Sequence, residues 1–386
     1  MIPKGWHKER LLDWVEMPKG QVDPKIDPYS SMPLVAPNHI PEGGGPILHL
    51  EIAMKQNAIS GKFLVKKGQV IYSKIRPYLK KATIAPVDCL CSADMYPLFA
   101  KKIRLLNSYL YYVLISDDFT KFAIEQSGRT GIPKINREEL GEYYLYLPPL
   151  PEQKKIAEIL ATWDRGIGII KTLINKIESQ FKTLLKILLS QKSHKDKLGN
   201  FFKIKNGYAF KSNEFVKNGI PVIRISNISN GLVSNNGVYV EDKYFERFND
   251  FLVSKGDVLI AMSGATTGKF GIYYSDKRAL LNQRVGKFEV VDSSKVDSRI
   301  IFYLLVFLQP KIFEIAAGGA QPNISSKKIE SLEVSLPNFN QQIAICNYLD
   351  RLNKIMKINK ETLKKFESQK QGLMQNLLTG KIRVNI

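Results

Sequence analysis

Glu152–Gln191 reads EQKKIAEILATWDRGIGIIKTLINKIESQFKTLLKILLSQ. Apolar side chains recur in it at Ile156, Leu160, Trp163, Ile167, Ile170, Ile174, Ile177, Phe181, Leu184 and Leu188, with gaps alternating between four and three residues. That is the spacing of a heptad seam. It predicts one long helix whose apolar edge needs a helical partner. At 1.5 Å rise per residue such a helix is roughly 60 Å long. No proline interrupts the stretch after Glu152, and Pro148, Pro149 and Pro151 hold its approach extended and mark its start.

The partner is expected in the same chain. A shift of 189 residues carries the seam onto Ile345, Leu349, Leu352, Met356, Asn359, Leu363, Phe366, Lys370, Leu373 and Leu377, apolar except at Asn359 and Lys370. The approach repeats as well: Pro148 falls on Pro337, Gln153 on Gln342 and Leu160 on Leu349. Each buried seam side chain is worth roughly 1.5–3 kcal/mol gross, so two polar interruptions can be carried. Such interruptions cost stability and can fix register.

Length and charge bound the rest. A chain of 386 residues has room for two or three domains with real cores. Its 57 basic and 36 acidic residues leave a net charge of +21. A surplus of that size implies a polyanionic partner, nucleic acid first and an anionic membrane second. The longest apolar run, Ile300–Leu308, is too short to span a bilayer. The stretch after Met1 has no apolar core of a secretory signal. Cys89, Cys91 and Cys346 form no disulfide framework, Cys89 and Cys91 alone are no zinc pattern, and His7, His39, His49 and His194 are scattered. These features predict a reduced, cytoplasmic protein with no metal site and no membrane segment.

The order along the chain is a globular unit at 1–147, a long helix at 148–192, a second globular unit at 193–337, and a second long helix with a tail at 338–386. Within the second unit, 193–199 is a polar linker. The first unit opens with Pro18, Gly20, Pro24, Pro28, Pro33, Pro37, Pro41 and Gly43-Gly44-Gly45-Pro46, which predicts short strands joined by tight turns. Leu105–Ile124 has helical periodicity, and Glu142–Leu147 alternates as a strand. The second unit follows a related plan. Phe251-Leu252-Val253, Lys255-Gly256 and Asp257–Ala261 match Phe63-Leu64-Val65, Lys67-Gly68 and Gln69–Ser73 at a shift of 188. Arg299–Ala316 repeats the helical stretch, and Pro322 and Ile324 repeat Pro133 and Ile135. A period this long is a duplication, not a solenoid.

Catalytic patterns are missing. Ser263–Gly271 invites a phosphate-loop reading, but its glycine spacing is one residue short and Phe270 stands where a hydroxyl would hold magnesium. It also leads into strand-like Ile272-Tyr273-Tyr274, so a hairpin that brings backbone close to another surface fits better. Asp27-Pro28-Tyr29 lacks one proline of an adenine-methyltransferase tetrad and reads as a turn. No nucleophile motif, zincin helix or carboxylate pair stands out.

DNA-reading side chains remain. The candidates on loops are Arg76, Lys80, Lys81, Arg129, Lys134, Lys205, Arg224, Asn227, Lys269, Gln283, Arg284 and Gln321. Arginine suits guanine, asparagine and glutamine suit adenine, and lysine mostly positions on phosphate. Tyr208 and Tyr239 could pack on the sugar-phosphate backbone.

The sequence resembles the DNA-specificity subunit of a type I restriction-modification system. The resemblance is carried by Leu147-Pro148-Pro149-Leu150-Pro151-Glu152-Gln153 with Ile156-Ala157, and by its second copy Leu336-Pro337-Asn338-Phe339-Asn340-Gln341-Gln342. Asn206-Gly207-Tyr208-Ala209-Phe210-Lys211, Ile220–Ile228 and Leu377-Leu378-Thr379-Gly380-Lys381-Ile382-Arg383 add to it. Asn340-Gln341 in place of Pro151-Glu152 is a departure. The resemblance implies an α+β fold: two related target-recognition domains, separated by two long helices in an antiparallel coiled coil. It implies that each domain reads one half of a bipartite, asymmetric target in double-stranded DNA and that the helices set the spacing. It further implies docking of two methyltransferase subunits, with restriction subunits joining. S-adenosylmethionine, ATP and magnesium would belong to those partners, leaving no cofactor and no catalysis in this chain. Substituting Arg129 or Arg224 would then relax one half-site each. A self-contained nuclease or methyltransferase, or a coiled-coil scaffold binding RNA or membrane, are the competing readings.

Overall fold

The computed structural model describes residues 2–101, 103–128, 131–189, 195–229, 231–317 and 322–386, without the side chains of residues 188–189. Arg129, Gln321 and the side chain of the expected seam residue Leu188 lie outside the described residues. The chain divides into two compact units, Met1–Leu173 with Asn359–Ile386, and Ile174–Ile358. Both long helices contribute a segment to each unit.

In the first unit, short apolar runs between glycine and proline turns form two four-stranded sheets. One has the order Val15–Glu16, Met95–Ala100, Val70–Ser73, Ala82–Ile84, antiparallel throughout. The other has the order Glu51–Ile52, Pro33–Val35, Cys89–Cys91, Phe63–Val65, with a parallel pair at its centre. A ribbon pairs His7–Arg10 with Tyr144–Leu147. The helices are α1 (Asn107–Leu114), α2 (Asp117–Gln126), α3 (Arg137–Gly141) and the start of α4 (Leu150–Leu189). The single helical stretch expected over Leu105–Ile124 is therefore broken. Ser116 is the reason: its Oγ accepts from Phe119 N at 3.2 Å and caps α2, with Asp117 and Asp118 in the first turn.

The second unit repeats this plan. Its larger sheet runs Phe202–Asn206, Val285–Val290, Val258–Ala261, Phe270–Tyr273, then adds Gly231–Val233 and Ile228–Ser229. Its smaller sheet runs Val238–Val240, Ile220–Ile223, Ala279–Leu281, Leu252–Val253. Strand for strand this is the order of the first unit, and the register is kept. Tyr72 faces Tyr96 as Ile260 faces Gly286, and Leu34 pairs in parallel with Leu90 as Val222 does with Leu280. Gly264–Lys269 connects an antiparallel pair, Val258–Ala261 and Phe270–Tyr273, so it is a hairpin turn. The remaining helices are α5 (Tyr244–Arg247), α6 (Ile300–Ala316), α7 (Ser326–Glu330) and α8 (Phe339–Leu378).

The fold is α+β, two related globular domains with two long helices in an antiparallel coiled coil. In the first unit Trp163 meets Phe366 edge-on at 5.4 Å, Asp164 binds Lys370 at 2.5 Å and Lys171 binds Glu367 at 2.8 Å. Ile156, Leu160 and Ile167 are buried there, Trp163 and Ile170 half-buried. Across from them Leu377 is buried, and Leu363, Phe366 and Leu373 are half-buried. In the second unit Ile177 and Phe181 share a core with Ile345, Leu349 and Leu352, with Leu184 and Met356 packed against it; Ile174 is buried as well. Leu185 and Met374 are buried although each sits one residue past an expected seam position. Both belong to the core of a globular domain, and a 3.6-residue helix drifts off a 3.5-residue seam wherever a second surface packs against it.

Candidate nucleic-acid interface

Each domain is fixed to the head of a long helix by a buried glutamine. Gln153 Nε2 donates to Arg104 O at 2.8 Å and Pro148 O at 2.9 Å, while its Oε1 accepts from Leu106 N at 2.9 Å. Gln342 repeats this set. Its Nε2 donates to Lys295 O at 3.1 Å and Pro337 O at 2.8 Å, and its Oε1 accepts from Asp297 N at 3.0 Å. The match of Gln153 with Gln342 is therefore a repeated clamp. In the first unit Glu152, also buried, accepts from Trp6 Nε1 at 3.1 Å and pairs with Arg383 of the terminal segment.

Beyond its central strand each domain builds the same small frame. In the first unit Lys74 N donates to Asp94 O at 3.0 Å, Ile135 N to Lys74 O at 3.0 Å, and Arg76 N to Pro133 O at 2.7 Å. In the second unit Met262 N donates to Arg284 O at 3.0 Å, Ile324 N to Met262 O at 2.9 Å, and Gly264 N to Pro322 O at 3.0 Å. The bridges Ile75–Lys134 and Ser263–Asn323 complete the correspondence. The backbone thus brings Arg76 and Lys134 together in one domain, and Arg284 and Asn323 together in the other. Arg76 sits at φ +51°, in the left-handed region, where its counterpart Gly264 sits at +77°.

The side chains differ in availability. Arg76, Lys134, Arg224, Lys269, Gln283 and Arg284 are exposed, and no hydrogen bond or ion pair engages their side chains among the described residues. Gln283 and Arg284 line an open concavity of about 700 Å³ with Asn206, Ser263, Asn323, Ser326 and Lys327. Ser263 Oγ there is buried and has no hydrogen-bond partner among the described residues. Other candidates are occupied. Lys80 is ion-paired with Asp117, and Lys81 donates to Pro37 O at 2.8 Å. Lys205 lies 3.6 Å from Asp250. Asn227 organises its own loop, accepting from Arg224 N at 2.9 Å and donating to Asn236 O at 2.6 Å. Tyr208 is half-buried in an aromatic cluster, its ring 4.2 Å from that of Phe248. Tyr239 is half-buried within a strand. Asp94 and Asn323 belong to the frame, and Lys327 to the concavity, but they carry no motif. Their place shows only once the strands of the two domains are aligned.

Among the described residues, nothing in this region resembles a reaction centre. Burial pushes the Cys89 and Cys346 thiols up to about 12, so both stay protonated and inert at neutral pH. Among the described residues no three His, Cys, Asp or Glu side chains gather as metal ligands. No helix among them is long and apolar enough to cross a membrane.

Comparison with known proteins agrees with the duplication. The family profile described as the type I restriction modification DNA specificity domain matches twice, over residues 3–179 and 192–368. The MjaVIII type I restriction enzyme specificity subunit of Methanocaldococcus jannaschii is 27% identical over 427 residues, covering 99% of this chain and 94% of the relative. The EcoDI specificity subunit of Escherichia coli is 33% identical over 190 residues, 49% of this chain and 42% of the relative. A crystal structure of the type I S subunit from M. genitalium superposes with a TM-score of 0.66 at 18% identity, covering 98% of this chain and 96% of that one. A chain solved in work on assembly and conformational transition of the type I system gives 0.58 at 19% identity, covering 99% and 100%. Two profile matches that between them take in most of the sequence, each spanning one globular domain and part of the helix after it, place this chain in the family of type I restriction-modification DNA specificity proteins.

Proposed function

We propose that this chain is the DNA-recognising, non-catalytic specificity subunit of a type I restriction-modification complex. Each globular domain, 1–147 and 193–337, reads one half of a bipartite target in double-stranded DNA. The paired helices, 148–192 and 338–386, set the gap between the halves and dock two methyltransferase subunits, to which restriction subunits are added. S-adenosylmethionine, ATP and magnesium are bound by those partners in the cytoplasm. The observation that carries this reading is the repeated frame, which offers unengaged Arg76 and Lys134 in one domain and unengaged Gln283 and Arg284 in the other. Fork-shaped donors suit base edges, and different donors on one scaffold suit an asymmetric target. The net charge of +21 supplies the sequence-independent attraction to phosphate.

The test is to express the chain with its methyltransferase subunits in a methylation-free host and sequence the methylome at single-molecule resolution. Two short specific blocks separated by a fixed gap are expected. Methylation without sequence preference, or cleavage or methyl transfer by the purified chain alone, would overturn the reading.

A further inference from the structure

The duplication makes positions 94 and 284 a single position of the frame. Each gives its carbonyl to the residue that leaves the central strand, Lys74 or Met262, at 3.0 Å. Each directly precedes the strand that pairs with that central strand in the same register. One carries a carboxylate and the other a guanidinium. We propose that this position determines specificity in both domains: Asp94 selects a base offering an amino hydrogen in the major groove, cytosine first, and Arg284 selects guanine. The proposal rests on the reading of both domains as binders of duplex DNA and adds which bases they read.

Asp94 is exposed, and its carboxylate makes no hydrogen bond or ion pair among the described residues. The buried Lys62 ammonium senses its charge but donates to Ser60 O at 2.6 Å instead. An acid on a surface meant for a polyanion is repelled by every phosphate. Its presence beside Lys74, Arg76 and Lys134 makes sense if it meets a donor. Cytosine N4 is a donor in the major groove, and aspartate, an acceptor only, is rejected by the acceptors O6 and N7 of guanine and O4 of thymine.

Arg284 inverts the chemistry on the same backbone. It has donors only, arranged as a fork that matches O6 and N7 of guanine. It lines the 700 Å³ concavity with Gln283, Asn323 and Lys327, beside Met262, Pro322 and Ile324, so a base edge entering there meets polar groups among apolar ones. The exchange is matched elsewhere on the frame. Where the second unit has Arg284 it has Gly264 in place of Arg76, and where the first has Asp94 it keeps Arg76. An arginine thus follows the central strand in the first unit and precedes its neighbouring strand in the second.

The test uses the chain with its methyltransferase subunits and the same methylome readout. Arg284→Ala is expected to lower discrimination for guanine at one position of one half-site roughly ten- to a hundredfold, with the other half unchanged. Asp94→Ala is expected to relax one position of the other half-site. If Arg284→Ala abolishes methylation, Arg284→Lys decides, because it keeps the charge and loses the fork. Retained methylation with relaxed guanine supports the proposal, and an unchanged target overturns it. Lys255→Ala, which removes a cation paired with Asp276 away from the frame, is expected to leave the target intact. Full methylation of an unaltered target by Arg284→Ala and Asp94→Ala overturns the proposal and leaves DNA reading standing. Absence of sequence preference in the unsubstituted complex would defeat that underlying reading instead.

Discussion

Gln153 and Gln342 are buried carboxamides whose oxygen and nitrogen are both engaged by backbone groups of a loop and a helix head. Removing one strands two carbonyls and one amide. Gln153→Ala or Gln342→Ala is therefore expected to destabilise its unit by about 2–4 kcal/mol, read as a lower urea midpoint. Gln153→Glu should do no better, because a carboxylate cannot donate to the carbonyls of Arg104 and Pro148. The sequence displayed these two residues as a matched pair, but not their task. Their partners Arg104, Leu106, Lys295 and Asp297 sit in loops more than forty residues away, and no periodicity points to them. Asp292 gives a pH-dependent counterpart. Hydrogen bonds from Ser294 and the Lys295 ammonium lower its carboxyl to about 2. A carboxyl depressed in the folded state contributes stability that is present above the ordinary carboxylate range and lost as pH falls toward 2. Asp292→Asn is expected to lower stability at pH 7, where the wild-type contribution is fully present, and to flatten the profile between about pH 4 and 2 so that the two proteins converge, as urea titrations at each pH would reveal.

Lys370 shows how one helix of the coil tolerates a cation in its seam. Its side chain is 13% exposed, and its ammonium reaches Asp164 of α4 at 2.5 Å and lies 5.6 Å from the ring centre of Tyr112 on α1. Tyr112 Oη in turn donates to Asp164 at 2.8 Å, and burial with the nearby carboxylate holds that phenol protonated. Lys370→Ala leaves Asp164 with Tyr112 as its one partner among the described residues and is expected to cost about 1–3 kcal/mol. Replacing Lys370 and Asp164 by leucine together with Tyr112→Phe is expected to be neutral or stabilising, since the whole polar set then goes. If the single substitution costs nothing in chemical denaturation, the pair does not set the register. Seam reading from sequence recovered both helices because heptad spacing is a local property of the chain. It missed Leu185 and Met374, and the break at Ser116 inside Leu105–Ile124. Those depend on what packs across the helix, or on a cap whose signal, Ser116-Asp117-Asp118, lies within an apolar run.

The duplicated plan was legible because insertions such as Ile228–Val233 fall outside the shared strand order, so the 188- and 189-residue shifts survive in both domains. The reading surface was only half legible. Residue type alone cannot separate Arg76 from Lys80, since both are cations in one cluster at a left-handed φ of +51°. The fold separates them: Lys80 is neutralised by Asp117, and Lys81 is satisfied by Pro37 O. The same distinction predicts how DNA affinity of the complex depends on salt. Each cation that neutralises a phosphate contributes about 0.9 to the slope of log Kobs against log salt. Lys134→Ala is expected to weaken binding uniformly across sequences and lower that slope by about one, whereas Lys80→Ala should leave it unchanged because its charge is already compensated. Arg284→Ala should instead keep most of the slope and lose preference for one base. Fluorescence anisotropy over a salt series, run on target and scrambled duplexes, separates these outcomes. A slope that drops equally for Lys80→Ala and Lys134→Ala would mean that internal pairing does not decide which cations of this chain meet DNA.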